Sequence, residues 1–322
     1  MPEIIRELTA FSPAKVNLYL TVIGSRSDGF HDIDSVFMAV DFGDILHFSV
    51  KNDKADENSS NLINISMSGL DLKDNELLSR PENNIIFRAI SLFREKTGFS
   101  NNIVVNVEKR IPLGGGLGGG SSNAACALLS LNKMTGFPCR RDELLEMAAS
   151  LGSDVPFFIF QTAAARVTGR GECITPIDAS LLHFVLVNPG FPSDTARAFR
   201  LLDEYRSSDS FTMKPLRAEE GLRITGLFCP GDSWLKFNND FLPVFPQAEK
   251  AVYDKINSAL REAGSVYANL SGAGASCFGV FSNEETARKA AESLSGEHRS
   301  EKRESPVRWY AECCKTIYNQ GE

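Results

Sequence analysis

The stretch that most constrains this chain is a glycine-rich loop, LGGGLGGGSSNAA, at residues 113–125. The alternating apolar residues 103–107 before it predict a strand, and the apolar run 126–131 after it predicts a helix. Glycine lets backbone N–H groups turn toward one point, because no Cβ intervenes. A helix that opens near Ser121 adds unpaired N–H groups and a positive dipole end. The sequence therefore predicts an anion cradle, most often for phosphate, rather than a flexible linker.

Two well-known phosphate loops fit this stretch poorly. The P-loop requires a Gly-Lys pair, and this chain contains none. Gly114, Gly116 and Gly119 match the spacing of the dinucleotide fingerprint, which also needs an acidic residue about 20 positions later at the end of a second strand. The next acids, Asp142 and Glu143, begin a predicted helix instead. The loop is therefore expected to belong to another class of phosphate site.

Composition narrows the class of protein further. The 322 residues, 43% of them apolar, suffice for one large or two ordinary domains. A net charge of −7 disfavours a nucleic-acid partner. Seven scattered cysteines indicate reduced thiols rather than a disulfide framework, and no Cys/His spacing suggests a zinc site. Without a signal-like start or an apolar run of membrane-spanning length, we expect a soluble, cytoplasmic protein that does not bind a membrane.

The order of the predicted elements favours an α+β fold. Strands at residues 11–25, 35–40 and 45–50, the last two joined by a turn at residues 41–44, come before any helix, which argues against a doubly wound sheet. From about residue 164 the pattern is strand, two helices, two strands, helix, strand, which predicts a second α+β domain. Residues 206–236 are predicted to be irregular.

Several polar and aromatic residues have ordinary explanations when each is taken alone. Lys15, near the start of a strand, is most simply a surface lysine on an edge strand. Asp154, between a helix end and the apolar run 155–160, is most simply a turn or cap residue. Core packing explains Phe30 and Phe199, and a backbone hydrogen bond in a turn explains His31.

Three separated stretches together resemble the motif pattern of the GHMP small-molecule kinases: PAKVNLYL at 13–20, PLGGGLGGGSSNAA at 112–125 and SGAGASCFGVF at 271–281. Four further stretches resemble one branch of that family, which acts on a cytidine diphosphate-linked methylerythritol in non-mevalonate isoprenoid biosynthesis: RSDGFH at 26–31, FGD at 42–44, LGSDVPF at 151–157 and GRGE at 169–172. The resemblance runs from about residue 11 to residue 281.

The family resemblance implies a fold of two domains with the active site between them. Residues 1–163 would form an ATP-binding domain like those of ribosomal proteins and elongation factors. Residues 164–322 would form a ferredoxin-like domain that contributes to substrate binding. A monomer or a homodimer is expected, with a small-molecule substrate as partner.

The resemblance also implies the reaction, which is transfer of the γ-phosphoryl group of ATP to the 2-hydroxyl group of the methylerythritol unit. Asp154 would accept the hydroxyl proton or orient the hydroxyl. Lys15 would keep that carboxylate ionised and stabilise the transferring group. Mg²⁺ is the expected cofactor, and either serine of the loop could contact it. The expected ATP-binding residues are Leu113, Gly114, Gly115, Gly116, Leu117, Gly118, Gly119, Gly120, Ser121 and Ser122.

For the substrate, Phe30 and Phe199 match the two aromatic positions that the family places around the cytosine ring. His31 and Thr195 are candidates to bind the edge of the base, and Asn17 to bind the sugar-alcohol hydroxyls. A second backbone loop is expected near the substrate, formed by Ser271, Gly272, Ala273 and Gly274. The chain departs from the family pattern at Phe30, where tyrosine is usual, and at Gln161, where glycine is expected.

Three other functions remain open from the sequence. Another GHMP kinase, acting on homoserine or mevalonate, would not need the aromatic slot around Phe30, His31 and Phe199. A catalytically inactive binding protein of the same fold would be free to lose Lys15 or Asp154, and both are present. A dehydrogenase is the weakest alternative, because the acidic residue of the dinucleotide fingerprint is missing.

Overall fold

The computed structural model describes residues 4–54, 63–69, 81–207, 238–300 and 310–317. Within those ranges the chain forms ten β-strands and seven α-helices, which confirms the predicted α+β class. Most of the irregular stretch predicted at residues 206–236 lies outside the described residues.

The chain divides into two compact units built from interleaved segments. The first comprises Met1–Ala14, Gly43–Ile111 and Gly118–Gln161, and the second comprises Lys15–Phe42, Pro112–Leu117 and Thr162–Glu322. The long strands β1 (Ile4–Ser25) and β2 (His31–Lys54) each contribute residues to both units. The predicted boundary between residues 163 and 164 lies close to the junction of Gln161 and Thr162. The assignment of ATP and substrate to separate domains stays a prediction.

In the first unit, strands and helices share an apolar core. β2 pairs antiparallel with β4 (Asn101–Lys109), and β3 (Ile63–Gly69) pairs parallel with β4. The helices are α1 (Ile85–Thr97), α2 (Gly119–Met134), α3 (Arg141–Leu151) and α4 (Val155–Phe160). Helix α2 contacts the other three, and 12 of its 16 residues are buried. A helix that is apolar or small on every side is suited to such a central position, so α2 fixes where the glycine loop ends.

The second unit contains a four-stranded antiparallel sheet in the order β10-β7-β9-β8. Its strands are β7 (His183–Asn188), β8 (Tyr267–Leu270), β9 (Cys277–Phe281) and β10 (Tyr310–Lys315). Helices α5 (Thr195–Arg206) and α6 (Gln247–Glu262) lie between β7 and β8 in the chain, and α7 (Glu284–Ser300) between β9 and β10. This connectivity and spatial order are those of a ferredoxin-like domain, as the family resemblance implies.

The first half of β2 also belongs to the second unit. It pairs antiparallel with β5 (Ala164–Gly169), which turns back as β6 (Cys173–Pro176). The segment between β5 and β6 carries Arg170 and confirms the hairpin indicated by GRGE.

The predicted turn at residues 41–44 is wrong, because β2 runs unbroken from His31 to Lys54. Asp44 is fully buried and accepts hydrogen bonds from the backbone N–H groups of Arg110 (2.7 Å) and Ile111 (2.8 Å). A Cβ at Gly43 would lie 2.3 Å from the Ser12 carbonyl oxygen. Aspartate and glycine are typical turn residues. In this strand Asp44 is required instead to bind backbone groups distant in the chain, and Gly43 is required because the backbone at Ser12 passes close to it.

Candidate active site

The glycine loop has the backbone conformation that its composition predicts. Gly114, Gly116 and Gly118 have φ angles of 62°, 73° and 69°, which residues with a Cβ rarely adopt. Helix α2 begins at the next residue, Gly119. Alternating left-handed residues are typical of an anion nest, in which successive N–H groups face one side. The N-cap residue, Gly118, has no side chain with which to cap this end of α2, and an uncapped helix start suits a phosphate group.

The first half of the loop holds two other motif stretches within the second unit. The carbonyl oxygen of Gly116 accepts a hydrogen bond from Ser271 Oγ at 3.0 Å. The carbonyl oxygen of Leu117 accepts one from the backbone N–H of Lys15, also at 3.0 Å. The stretches 13–20, 112–117 and 271–281 therefore meet at this part of the loop.

Replacing Gly116 by alanine is expected to disable the loop. The added Cβ would lie 2.2 Å from the Ser271 carbonyl oxygen and 2.7 Å from that of Gly274. Such overpacking costs roughly 1 to 3 kcal/mol. If the loop must keep this conformation to bind ATP, the same free energy weakens ATP binding about 5- to 150-fold, which calorimetric titration would measure. Gly136→Ala is the matched control, since Gly136 has a φ of 88° and nothing within 4 Å of its would-be Cβ. Equal ATP affinity in the two variants would contradict the prediction.

Lys15 is buried, which makes the edge-strand interpretation wrong. It is 3% exposed, its Nζ donates to Asn17 Oδ1 at 2.5 Å, and it lies 4.4 Å from the centroid of the Phe37 ring. A Cβ built on Gly272 would be 3.6 Å from Lys15 Nζ and 3.2 Å from Asn17 Oδ1. The structure therefore brings Lys15, Asn17 and the loop of residues 271–274 together. An ammonium held in this way suits an anionic group whose charge must be stabilised.

The two serines of the loop have different surroundings in the first unit. Ser122 is 1% exposed, and its Oγ lies 2.7 Å from Ser12 Oγ. The hydroxyl hydrogen of Ser12 goes to Asn123 Oδ1, which can only accept, so Ser122 donates to Ser12. Ser121 is half-buried. Among the described residues no group of three or more His, Cys, Asp or Glu side chains could hold a metal. The serine hydroxyl groups near the loop can supply one ligand to Mg²⁺. The residues present therefore fit an Mg²⁺ ion that takes most of its ligands from phosphate and water.

Asp154 lies in the first unit, at the N-cap position of α4. This places it in a turn, yet among the described residues its carboxylate makes no capping hydrogen bond. Helix α4 packs against α2, which carries the end of the glycine loop. At the other end of α4, Gln161 has a φ of 50°. This left-handed conformation favours glycine and explains why the family pattern has glycine there.

His31 and Phe199, both predicted to contact substrate, lie against each other in the second unit. Their ring centroids are 4.6 Å apart and their planes 20° from parallel. His31 Nε2 lies 2.8 Å from Asp203 Oδ1, so a carboxylate rather than the backbone binds this histidine. The sequence offered no direct signal for Asp203, which is 172 positions away.

Phe30 and Thr195 are accessible in the second unit. Phe30 is 50% exposed, so core packing does not explain it. The Arg170 guanidinium lies 4.8 Å from the centroid of its ring, where it covers one face as a cation–π pair. Thr195 is the first residue of α5 and is exposed.

Sequence reasoning missed the buried ion pair of Asp44 and Lys109 in the first unit. The two charged groups are 2.7 Å apart and at most 3% exposed, and Asn123 Nδ2 donates to Asp44 Oδ2 at 2.9 Å. Burial lowers the pKa of Lys109, and the charge of Asp44 opposes that shift. Since Asp44 binds both residues 109–111 and Asn123, it holds the two flanks of the glycine loop. Its only sequence signal was its place in the family stretch FGD.

Comparison with known proteins identifies the family of this chain. Two family models match the chain, "GHMP kinases N terminal domain" at residues 84–162 and "GHMP kinases C terminal" at residues 236–299. A 4-diphosphocytidyl-2-C-methyl-D-erythritol kinase from Thermodesulfovibrio yellowstonii is 33% identical over 90% of this chain and 95% of its own. A chloroplastic kinase of the same name from Oryza sativa subsp. japonica is 39% identical over 62% of this chain. A crystal structure of 4-(cytidine 5'-diphospho)-2C-methyl-D-erythritol kinase, 26% identical, superposes with a TM-score of 0.71 over 97% of this chain and 100% of its own.

The fold, the glycine loop and the buried lysine beside it define a GHMP kinase. Within that class, the chain belongs to the family of the 4-diphosphocytidyl-2-C-methyl-D-erythritol kinases. Its aligned part spans about half the length of the rice relative, 47%. In the part of the chain that the structure describes, no helix is long and apolar enough to cross a membrane.

Proposed function

We propose that this protein transfers the γ-phosphoryl group of ATP to the 2-hydroxyl group of 4-diphosphocytidyl-2-C-methyl-D-erythritol. The observation that carries the proposal is the meeting of the three motif stretches at Gly116, where Lys15 is buried beside two backbone loops. The names of the aligned relatives supply the substrate. The six described cysteines are all free thiols, which supports the cytoplasm as its location.

The backbone of residues 113–122 is the proposed binding site for the ATP phosphates. The left-handed glycines present their N–H groups, and the start of α2 adds its dipole. Mg²⁺ bound with the nucleotide would neutralise charge on the phosphates. Ser121 is the better candidate to contact it, because Ser122 is buried against Ser12.

Lys15 and Asp154 are the proposed catalytic residues. The 2-hydroxyl oxygen attacks the γ-phosphorus, the bond from that phosphorus to the oxygen bridging it to ADP breaks, and the hydroxyl proton passes to Asp154. Lys15 stabilises the negative charge of the transferring group. Since the transition state of phosphoryl transfer is loose, positioning and charge stabilisation contribute more than proton removal.

The cytosine ring is proposed to bind beside Phe30, His31 and Phe199. A carboxylate can only accept, so the hydrogen bond to Asp203 places the proton of a neutral His31 on Nε2. Nδ1 is then an acceptor, which suits the exocyclic amino group of cytosine. The half-exposed ring of Phe30 offers the stacking surface.

The test is phosphorylation of a substrate panel by purified protein. We expect Mg²⁺-dependent turnover with 4-diphosphocytidyl-2-C-methyl-D-erythritol and none with homoserine or mevalonate. Phe30→Ala should raise the KM for that substrate about 5- to 150-fold, because base stacking contributes roughly 1 to 3 kcal/mol. The KM for ATP should not change. Phe137→Ala is the matched control, since Phe137 is 68% exposed on the other unit.

Other outcomes would overturn this assignment. Turnover with homoserine or mevalonate alone would identify a different GHMP kinase. ATP binding without turnover of any of the three would favour a binding protein of the same fold. Equal KM values in the two phenylalanine variants would remove Phe30 from the substrate site.

A further inference from the structure

We infer that Ser35 is a positioning residue for the phosphoryl transfer, because its hydroxyl group fixes the amide of Asn17 and that amide holds the ammonium group of Lys15. The inference rests on the proposed function and names how its lysine is kept in place. All three residues lie on β1 and β2 within the second unit.

The hydrogen bonds of Ser35 have a defined direction. Ser35 is 0% exposed, and its Oγ lies 2.5 Å from the carbonyl oxygen of Tyr19 and 3.0 Å from Asn17 Nδ2. A carbonyl oxygen only accepts, so the single hydroxyl hydrogen of Ser35 goes to Tyr19. The oxygen of Ser35 is then an acceptor, and the side of the Asn17 amide that faces it must be the amino group.

This direction determines what Asn17 presents to Lys15. An amide has one donor side and one acceptor side. With Nδ2 bound to Ser35, Oδ1 points to Lys15, whose Nζ donates to it at 2.5 Å. A flipped amide would turn its N–H groups toward the ammonium and repel it. Asn17 and Lys15 are 1% and 3% exposed, so little water reaches either group to compensate.

The frame around Ser35 is held by a separate set of bonds. Tyr19 Oη donates to Asp34 Oδ1 at 2.9 Å, and Arg166 donates twice to the same carboxylate, at 3.0 and 2.8 Å. Burial and the charge of Asp34 raise the pKa of Tyr19 far above its usual range, so the phenol stays a donor. These bonds hold β1 and β2 together next to Ser35 and do not involve its hydroxyl group. Loss of that hydroxyl group is therefore expected to free the orientation of the Asn17 amide and to leave the two strands in place.

The experiment compares Ser35→Ala with Ser130→Ala, a buried serine in α2 whose hydroxyl group lies 3.9 Å from Cys126 Sγ. In Ser35→Ala we expect kcat to fall about tenfold, as for one lost hydrogen bond, with both KM values within about twofold of wild type. Ser130→Ala should keep all three values. A general loss of structure would not lower kcat while leaving both KM values unchanged.

A second measurement does not depend on catalysis. Trace acetylation of Lys15, quantified by peptide mass spectrometry against the exposed Lys133, should be several-fold faster in Ser35→Ala and unchanged in Ser130→Ala. Equal Lys15 acetylation in the two variants would overturn the inference. If the wild-type protein phosphorylates no substrate, the proposed function fails, while the acetylation result still decides the role of Ser35.

Discussion

Lys15→Met is expected to lower kcat about 100- to 1,000-fold, as for the removal of one preorganised group that stabilises transition-state charge. Methionine keeps most of the length of the side chain and removes its charge. In this protein the ammonium is buried, bound to Asn17 Oδ1 at 2.5 Å and 4.4 Å from the centroid of the Phe37 ring. Because these partners already hold it, little reorganisation is needed during the reaction, and its loss cannot be replaced by water.

Steady-state kinetics with both substrates varied would measure this effect, and circular dichroism on heating would show whether the variant folds. Lys133→Met is the matched control, since Lys133 is exposed on α2. Asp154→Asn, which keeps the side-chain size, should lower kcat about 100-fold or more if the carboxylate takes the proton. A folded Lys15→Met protein with kcat within about threefold of the control would remove Lys15 from the catalytic residues.

Asp44→Ala is expected to lower the free energy of unfolding by about 3 to 5 kcal/mol, as for breaking a buried ion pair by removing one partner. Asp44 binds the ammonium of Lys109 at 2.7 Å and is 0% exposed. The alanine variant would leave that ammonium buried without its counter-charge, together with the N–H groups of Arg110 and Ile111. Urea denaturation would measure the loss.

Two further variants separate the ion pair from general effects of substitution. Glu292→Ala breaks the exposed pair with Arg288, whose side chains are 56% and 63% exposed, and should change stability little. Asp44→Leu combined with Lys109→Met removes both charges and should recover part of the loss. An Asp44→Ala protein as stable as Glu292→Ala would show that the buried pair does not stabilise this unit.

The stability deficit of Asp44→Ala should also depend on pH. Burial lowers the pKa of Lys109 in the folded wild-type protein, and removal of Asp44 takes away the charge that opposes that shift. The folded variant therefore loses this proton at a lower pH than the unfolded chain, whose lysine titrates near 10.4. Where the unfolded state binds more protons, stability rises with pH. The deficit relative to wild type should thus shrink as pH increases toward that value.

The glycine loop shows how much of the site could be predicted from sequence. Its glycines allow left-handed backbone conformations that residues with a Cβ rarely adopt, and Gly114, Gly116 and Gly118 have such φ angles. The family motifs likewise indicated Lys15 and Asp154 as candidates. Local sequence misjudged Lys15 because strand alternation shows which residues share a face and cannot show that both faces are buried.

By itself, the sequence determined the α+β class, the glycine loop between a strand and a helix, and the family, because these depend on local composition and on short motifs. Only the tertiary structure decided that residues 41–44 form a strand, that Asp203 binds His31 and that Ser35 orients Asn17. Each of these depends on partners distant in the chain, such as Arg110, Ile111 and Asp203. The residue type determines which hydrogen bonds a side chain can donate or accept, whereas the packing of the whole chain determines which partner it meets.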